Sequence, residues 1–206
     1  MQLSRPLAVV TPTLDGPVLT ALAVADEAFT TGQLNRILVQ GSEEGIRKVL
    51  RRLSEQGIVT AEHVGAAFSY RLNRDHLAAE HIIGLANLRS ALFANIEATL
   101  TAWRQPPIYG AVFGSAGRGG MEVTSDIDIL LVRKDNSQDA QWERQVEELV
   151  HTVTRWTGND TRPLEYTVDE LEAAREEPVL AEVLTTGLTV AGQRSWLNSR
   201  LRPRRK

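Results

Sequence analysis

The sequence predicts a small helical block closed by a β-hairpin, then a long helix, then an α/β or α+β domain with a mixed sheet. Three observations predict this. After residue 106, strand-like runs at Ile108–Phe113, Asp126–Val132 and Thr161–Thr167 alternate with helical patterns. From Asp75 to Trp103 there is no proline and a single glycine, and Leu85, Leu88, Leu92, Ile96, Leu100 and Trp103 recur at three-and-four spacing. Ahead of that stretch, three short helical segments precede two β-rich runs that meet at Gly65. The expected boundaries are residues 1–74, 75–105 and 106–206, with Pro106-Pro107 ending the long helix because a residue before proline is driven out of helical geometry.

Composition narrows the class. The chain has 206 residues, 42% hydrophobic and 24% charged, ordinary values for a globular protein with room for two cores. No apolar run approaches the length of a membrane span, and the N-terminus lacks the pattern of a secretory leader. With no cysteine there is neither a disulfide framework nor a zinc–thiolate site, and a cytoplasmic location is expected. A net charge of −3 gives no global attraction for nucleic acid, so any such binding has to rest on a local patch.

The elements follow in order. Pro17 opens the first helix, Val18–Ala25. Thr30 and Thr31 are capping residues for a second, Gly32–Val39. Ser42 caps a third, in which Ile46, Val49, Leu50 and Leu53 turn inward and Arg47, Lys48 and Arg51 turn outward. Gly57 stops it, and Ile58–Val64 and Phe68–Asn73 read as a hairpin. In the C-terminal part, Gln138–Thr157 is a helix, Val168–Glu176 and Val179–Leu184 are helical, and Leu188–Ala191 is a last short strand. Arg200–Lys206 is a basic tail. His63, His76, His81 and His151 lack metal-ligand spacing, and Trp103, Trp142, Trp156 and Trp196 read as core.

Chemistry concentrates between Gly114 and Val132. Gly114-Ser115 lies at the exit of an apolar strand, and a glycine turn there exposes N–H groups suited to a phosphate. Ser115 adds a hydroxyl and Arg118 a positive charge. On the next strand Asp126 and Asp128 point to one face, because side chains alternate. Two carboxylates so placed repel unless a cation compensates, and oxygen ligands completed by water and phosphate favour Mg²⁺ or Mn²⁺. The glycines are followed by no Lys-Ser/Thr pair and lack GxGxxG spacing, which excludes a Walker loop and a dinucleotide fingerprint.

Gly114-Ser115, Arg118-Gly119 and Ser125-Asp126-Ile127-Asp128 resemble the signature of the polymerase-β-like nucleotidyltransferases, in their minimal MNT-type form. The resemblance covers about Ile108 to Thr167. It implies a mixed sheet with flanking helices, binding of an NTP with Mg²⁺, and transfer of a nucleoside monophosphate. By it, Gly114, Ser115 and Arg118 hold phosphates, Asp126 and Asp128 hold metal, and a third carboxylate is expected on a neighbouring strand. Glu165 is the acid of that strand and Asp160 a second candidate, while Arg162 stands where the third acid would be expected.

The N-terminal block is similar to the winged helix-turn-helix of bacterial regulators, over about Leu14–Asn73. That similarity implies a third helix in the major groove of double-stranded DNA, with Gln40, Ser42 and Arg47 at base edges. Lys48, Arg51, Arg52 and Arg71 would then contact phosphates. Against this, residues 1–75 carry eight basic and eight acidic residues, and a solvated helix face or a protein-docking module fits as well. The leucine stripe of residues 75–103 reads either as core or as the seam of a homodimer. Three functions stand open: a nucleotidyltransferase acting on an unknown acceptor, a nucleotide-sensing transcription regulator with little or no turnover, and an antitoxin that modifies a partner protein.

Overall fold

The computed structural model describes residues 1–38, 40–135 and 139–201. Val39, Gln138 and residues 202–206 of the basic tail, all placed in elements above, lie outside the described residues. The chain divides into two compact units, one from Ser4 to Arg89 with Gln2, the other from Ser90 onward with Met1 and Leu3.

In the N-terminal unit α1 (Asp15–Val24) is followed by β1 (Phe29–Thr30), α2 (Thr31–Ile37), α3 (Glu43–Glu55), β2 (Val59–Val64), β3 (Ala67–Leu72) and α4 (Ala79–Ala86). Thr30 closes a capping box with Gln33, and Ser42 accepts from the Gly45 N–H, so both helix starts are fixed by their own side chains. The strands form an antiparallel sheet in the order β1-β3-β2, and Val64 pairs with Ala67 across a two-residue turn. β1 was not anticipated; two residues leave no periodicity to read. Val18, Leu22, Leu34, Ile46, Leu50 and Leu72 are the centre of this unit's core.

The C-terminal unit begins with α5 (Leu88–Thr101) and continues through β4 (Tyr109–Phe113), α6 (Gly114–Arg118), β5 (Ile127–Arg133), α7 (Asp139–Thr157) and β6 (Thr161–Thr167). It ends with α8 (Val168–Ala173), α9 (Pro178–Thr186), β7 (Leu188–Ala191) and α10 (Arg194–Leu201). The sheet order is β6-β5-β4-β7, with β5 and β6 parallel and the other two pairings antiparallel. One face carries Val112, Ile127, Ile129, Leu131 and Val190 against Leu92, Ile96 and Leu100 of α5 and Trp142, Val146 and Leu149 of α7. The other carries Tyr109, Ala111, Phe113, Leu130 and Val132 against Leu171 of α8, Leu180 and Val183 of α9 and Leu197 and Leu201 of α10.

Two expectations change. The stretch 75–105 is two helices, α4 and α5, separated at Asn87, whose side-chain amide donates to the Ile83 carbonyl at 2.9 Å and ends α4. Of the leucine stripe, Leu85 packs against the core of the N-terminal unit, and Leu92, Ile96, Leu100 and Trp103 pack in that of the C-terminal unit. The C-terminal segment holds a further helix, α10, which buries Leu197 and Leu201 one turn apart.

Candidate functional site

Asp126 and Asp128 meet the Gly114 turn at one end of the sheet. β4 and β5 pair so that Phe113 is opposite Asp128, which sets the residue after Phe113 against that carboxylate. The contact is close enough that a Cβ on Gly114 would lie 2.2 Å from Asp128 Oδ2. Gly114 also has φ +65°, a conformation disfavoured for any other residue. Position 114 therefore favours glycine, chiefly through its backbone conformation, and the Asp128 carboxylate fills the space beside it. At Gly117 a Cβ would lie 2.9 Å from the Thr186 carbonyl, so this glycine serves the packing of α6 on the end of α9. Ser115 is half-buried on α6, and among the described residues its hydroxyl has no hydrogen-bond partner.

Asp126 enters the strand from a turn held by a residue that sequence reasoning passed over. Asn159 is 3% exposed, and its amide donates to the Val123 and Ser125 carbonyls, each at 2.9 Å. The Ile127 N–H bonds the Asp160 carbonyl at 2.8 Å, continuing the same attachment into the β5–β6 ladder. Gly158-Asn159-Asp160 reads as an ordinary turn, and nothing in it signals that one amide anchors a segment 34 residues away. Asp160 itself contributes only this main-chain carbonyl.

The neighbouring strand does not supply the expected acid. Glu165 is in register with Leu131, which faces α5 and α7, and the Trp142 indole N–H donates to it at 2.5 Å. The aspartates have the parity of Leu130 and Val132 and so share the opposite face. Glu165 is thus excluded from the cluster by strand alternation. The residue on the right face and in register with Asp128 is Arg162, whose guanidinium bonds Asp126 Oδ2 at 2.8 Å.

A second ion pair flanks the aspartates. Arg118 of α6 is bonded to Glu182 of α9, a residue that no motif singles out. Asp128 feels all of these groups: burial raises its carboxyl above the usual range, Asp126 raises it further, Arg162 opposes, and Glu182 adds to the rise. The donor chemistry suits one hard divalent cation on Asp126 and Asp128 with water and phosphate oxygens completing its shell. Among the described residues no group of three or more His, Asp or Glu side chains is disposed to hold a metal alone.

The DNA-directed candidates occupy the N-terminal unit. Arg47 is engaged by Glu43 at 3.1 Å and Glu44 at 2.8 Å, Lys48 lies 3.9 Å from Glu44, and Arg52 pairs with Asp15. The Ser42 hydroxyl is used as the cap of α3. Arg51 and Arg71 are exposed, on α3 and β3.

The raised carboxyl of Asp128 makes a stability prediction. A carboxyl that holds its proton more tightly folded than unfolded loses stability as pH rises through that interval, and the loss persists above it. Without divalent cations, Asp128→Asn should stabilise the C-terminal unit at pH 7. The gain should shrink as pH falls to about 3, where the unfolded carboxyl is itself mostly protonated. All four tryptophans lie in this unit, so denaturant titrations followed by their fluorescence read it directly. An equal gain at both pH values contradicts the electrostatic origin.

Two solved toxin–antitoxin structures are similar to the chain. The one with AMP-PNP is 18% identical, covering 53% of this chain and 80% of that one at a TM-score of 0.40. The MntA-HepT complex is 17% identical, covering 54% and 80% at 0.36. TrmBL2, an archaeal chromatin protein described with a novel mode of DNA binding, is 17% identical over 87% of this chain and 75% of its own, at 0.30. These values are too low to transfer fold or function. None of the curated proteins matches the chain. Residues 101–182, which include the Gly114 turn, both aspartates, Arg118, Arg162 and Glu182, match the model of the nucleotidyltransferase domain family.

Proposed function

We propose that the C-terminal unit binds a nucleoside triphosphate with a divalent cation, Mg²⁺ or Mn²⁺, and transfers its nucleoside monophosphate to an acceptor hydroxyl. The observation that carries this reading is the meeting of Asp126 and Asp128 with the Gly114-Ser115 turn, inside the segment that matches the nucleotidyltransferase model. Ser115 donates its hydroxyl to a phosphate oxygen, and Arg118, once released from Glu182, adds a charged donor. Asp126 and Asp128 hold the cation, which when bound polarises the reacting phosphate and favours loss of pyrophosphate. Glu165 has no part in this, given its place on the other face of the sheet.

A second reading, nucleotide sensing with little or no turnover, is favoured by a specific observation: an arginine, Arg162, stands beside the aspartates where another acid would strengthen a general base. One experiment separates the two. Full-length protein is incubated with α-labelled NTPs and Mg²⁺ or Mn²⁺, with and without cell lysate as a source of acceptors, including partner proteins. Transfer of label, lost by at least about a hundredfold in Asp128→Ala, is the expected result. Retention of full labelling in the variant contradicts the site, and nucleotide binding without any labelling supports the sensor.

For the N-terminal unit we propose a winged helix that contacts double-stranded DNA, supported by its order of helix, strand, two helices and hairpin with β1 beside β3. Arg51 and Arg71 are exposed and carry the phosphate contacts, joined by Arg47 and Lys48 where DNA opens their exposed ion pairs with Glu43 and Glu44. Changing Arg51 and Arg71 to alanine should weaken DNA binding and reduce the slope of log K against log salt by about 2. An unchanged slope, or the absence of any binding by the parent protein at low salt, removes this role.

A further inference from the structure

Arg162 is the one residue of the cluster whose chemistry the transfer reading leaves unused. Its side chain is 67% exposed while that of its partner Asp126 is 27% exposed, so the pair lies at the mouth of the site. An ion pair this exposed contributes little to stability and opens at small cost. The register with Asp128 keeps the guanidinium beside both carboxylates, and its charge is felt at Asp128 as well as at Asp126. On the other side of Asp128, Arg118 is held by Glu182 in the same manner.

The charges decide what this arrangement accepts. Three carboxylates, Asp126, Asp128 and Glu182, stand against two guanidiniums, Arg118 and Arg162. A triphosphate entering such a cluster meets repulsion unless cations are supplied from outside or freed from inside. A divalent cation on Asp126 does both, because it takes the carboxylate that holds Arg162. A guanidinium is suited to the exchange, since its planar fork bonds phosphate oxygens as well as carboxylates.

We propose that Arg162 is an exchangeable cation of the nucleotide site: it neutralises Asp126 in the nucleotide-free protein and turns to the triphosphate when a divalent cation takes Asp126. This rests on the nucleotide-binding reading given above. It makes Arg162 a competitor of the metal and a ligand of the nucleotide at once, so its removal moves two affinities in opposite directions. A salt bridge that merely fastens β5 to β6 would, on removal, free Asp126 for the metal but leave the nucleotide affinity unmoved.

The test uses full-length Arg162→Gln, with Arg162→Lys as the charge-retaining variant and a melting curve to confirm folding. Mn²⁺ binding without nucleotide is read from the electron paramagnetic resonance signal of the free ion, and ATP binding from fluorescence of a labelled analogue at saturating Mg²⁺. In Arg162→Gln, Mn²⁺ affinity should rise by roughly threefold. ATP affinity should fall by about tenfold or more, with a smaller fall in Arg162→Lys. An unchanged ATP affinity, with or without a rise for Mn²⁺, or affinities that move together, overturns the proposal and leaves nucleotide binding standing. If the parent protein binds neither Mn²⁺ nor ATP, the nucleotide reading itself fails and takes this one with it.

Discussion

The carboxylate of Asp128 occupies the space that a side chain at position 114 would need, and the C-terminal site is arranged around that contact. Gly114, with φ +65°, follows β4 directly as the first residue of α6, with Ser115 next to it on the same helix. The antiparallel pairing of Phe113 with Asp128 sets the distance. The parallel pairing of β5 with β6 then decides which residue of the neighbouring strand joins the pair. That residue is an arginine, so a site that begins as two repelling acids is balanced from within the protein.

This balance distinguishes the chain from a cluster built of acids alone. Burial and Asp126 hold the Asp128 carboxyl above its usual range, while Arg162 relieves part of the strain. Such a site is costly to leave charged, which fits the cation binding proposed for it. Support for Asp126 comes from outside the strand: Asn159, buried and bonded to two carbonyls of the preceding turn, fixes where β5 begins.

Much of this was legible in the residues, for reasons that also mark the limit. Strand alternation places Asp126 and Asp128 on one face, and β6 and β7 fall where apolar patterning puts them, at Thr161–Thr167 and Leu188–Ala191. What alternation within one strand cannot give is the register between strands. That register sends Glu165 to Trp142 and Arg162 to Asp126. Glu182 was equally hidden, since it joins the site only through the packing of α6 on α9. In the stretch 75–105 the helical period continues across Asn87 with no proline or glycine at the break, so two helices read as one. In α3 the outward cations were visible, but their pairing with Glu43 and Glu44 needed side-chain geometry.

The central claim is that the Gly114 turn, Asp126, Asp128 and Arg162 form one nucleotide-binding site. Hydrogen–deuterium exchange of the full-length protein, with and without ATP and Mg²⁺, tests it most directly. The account predicts slowed exchange confined to peptides covering residues 113–129 and 160–163 on addition of both ligands together. Unchanged exchange in those peptides at saturating nucleotide, or protection only elsewhere in the chain, would contradict it.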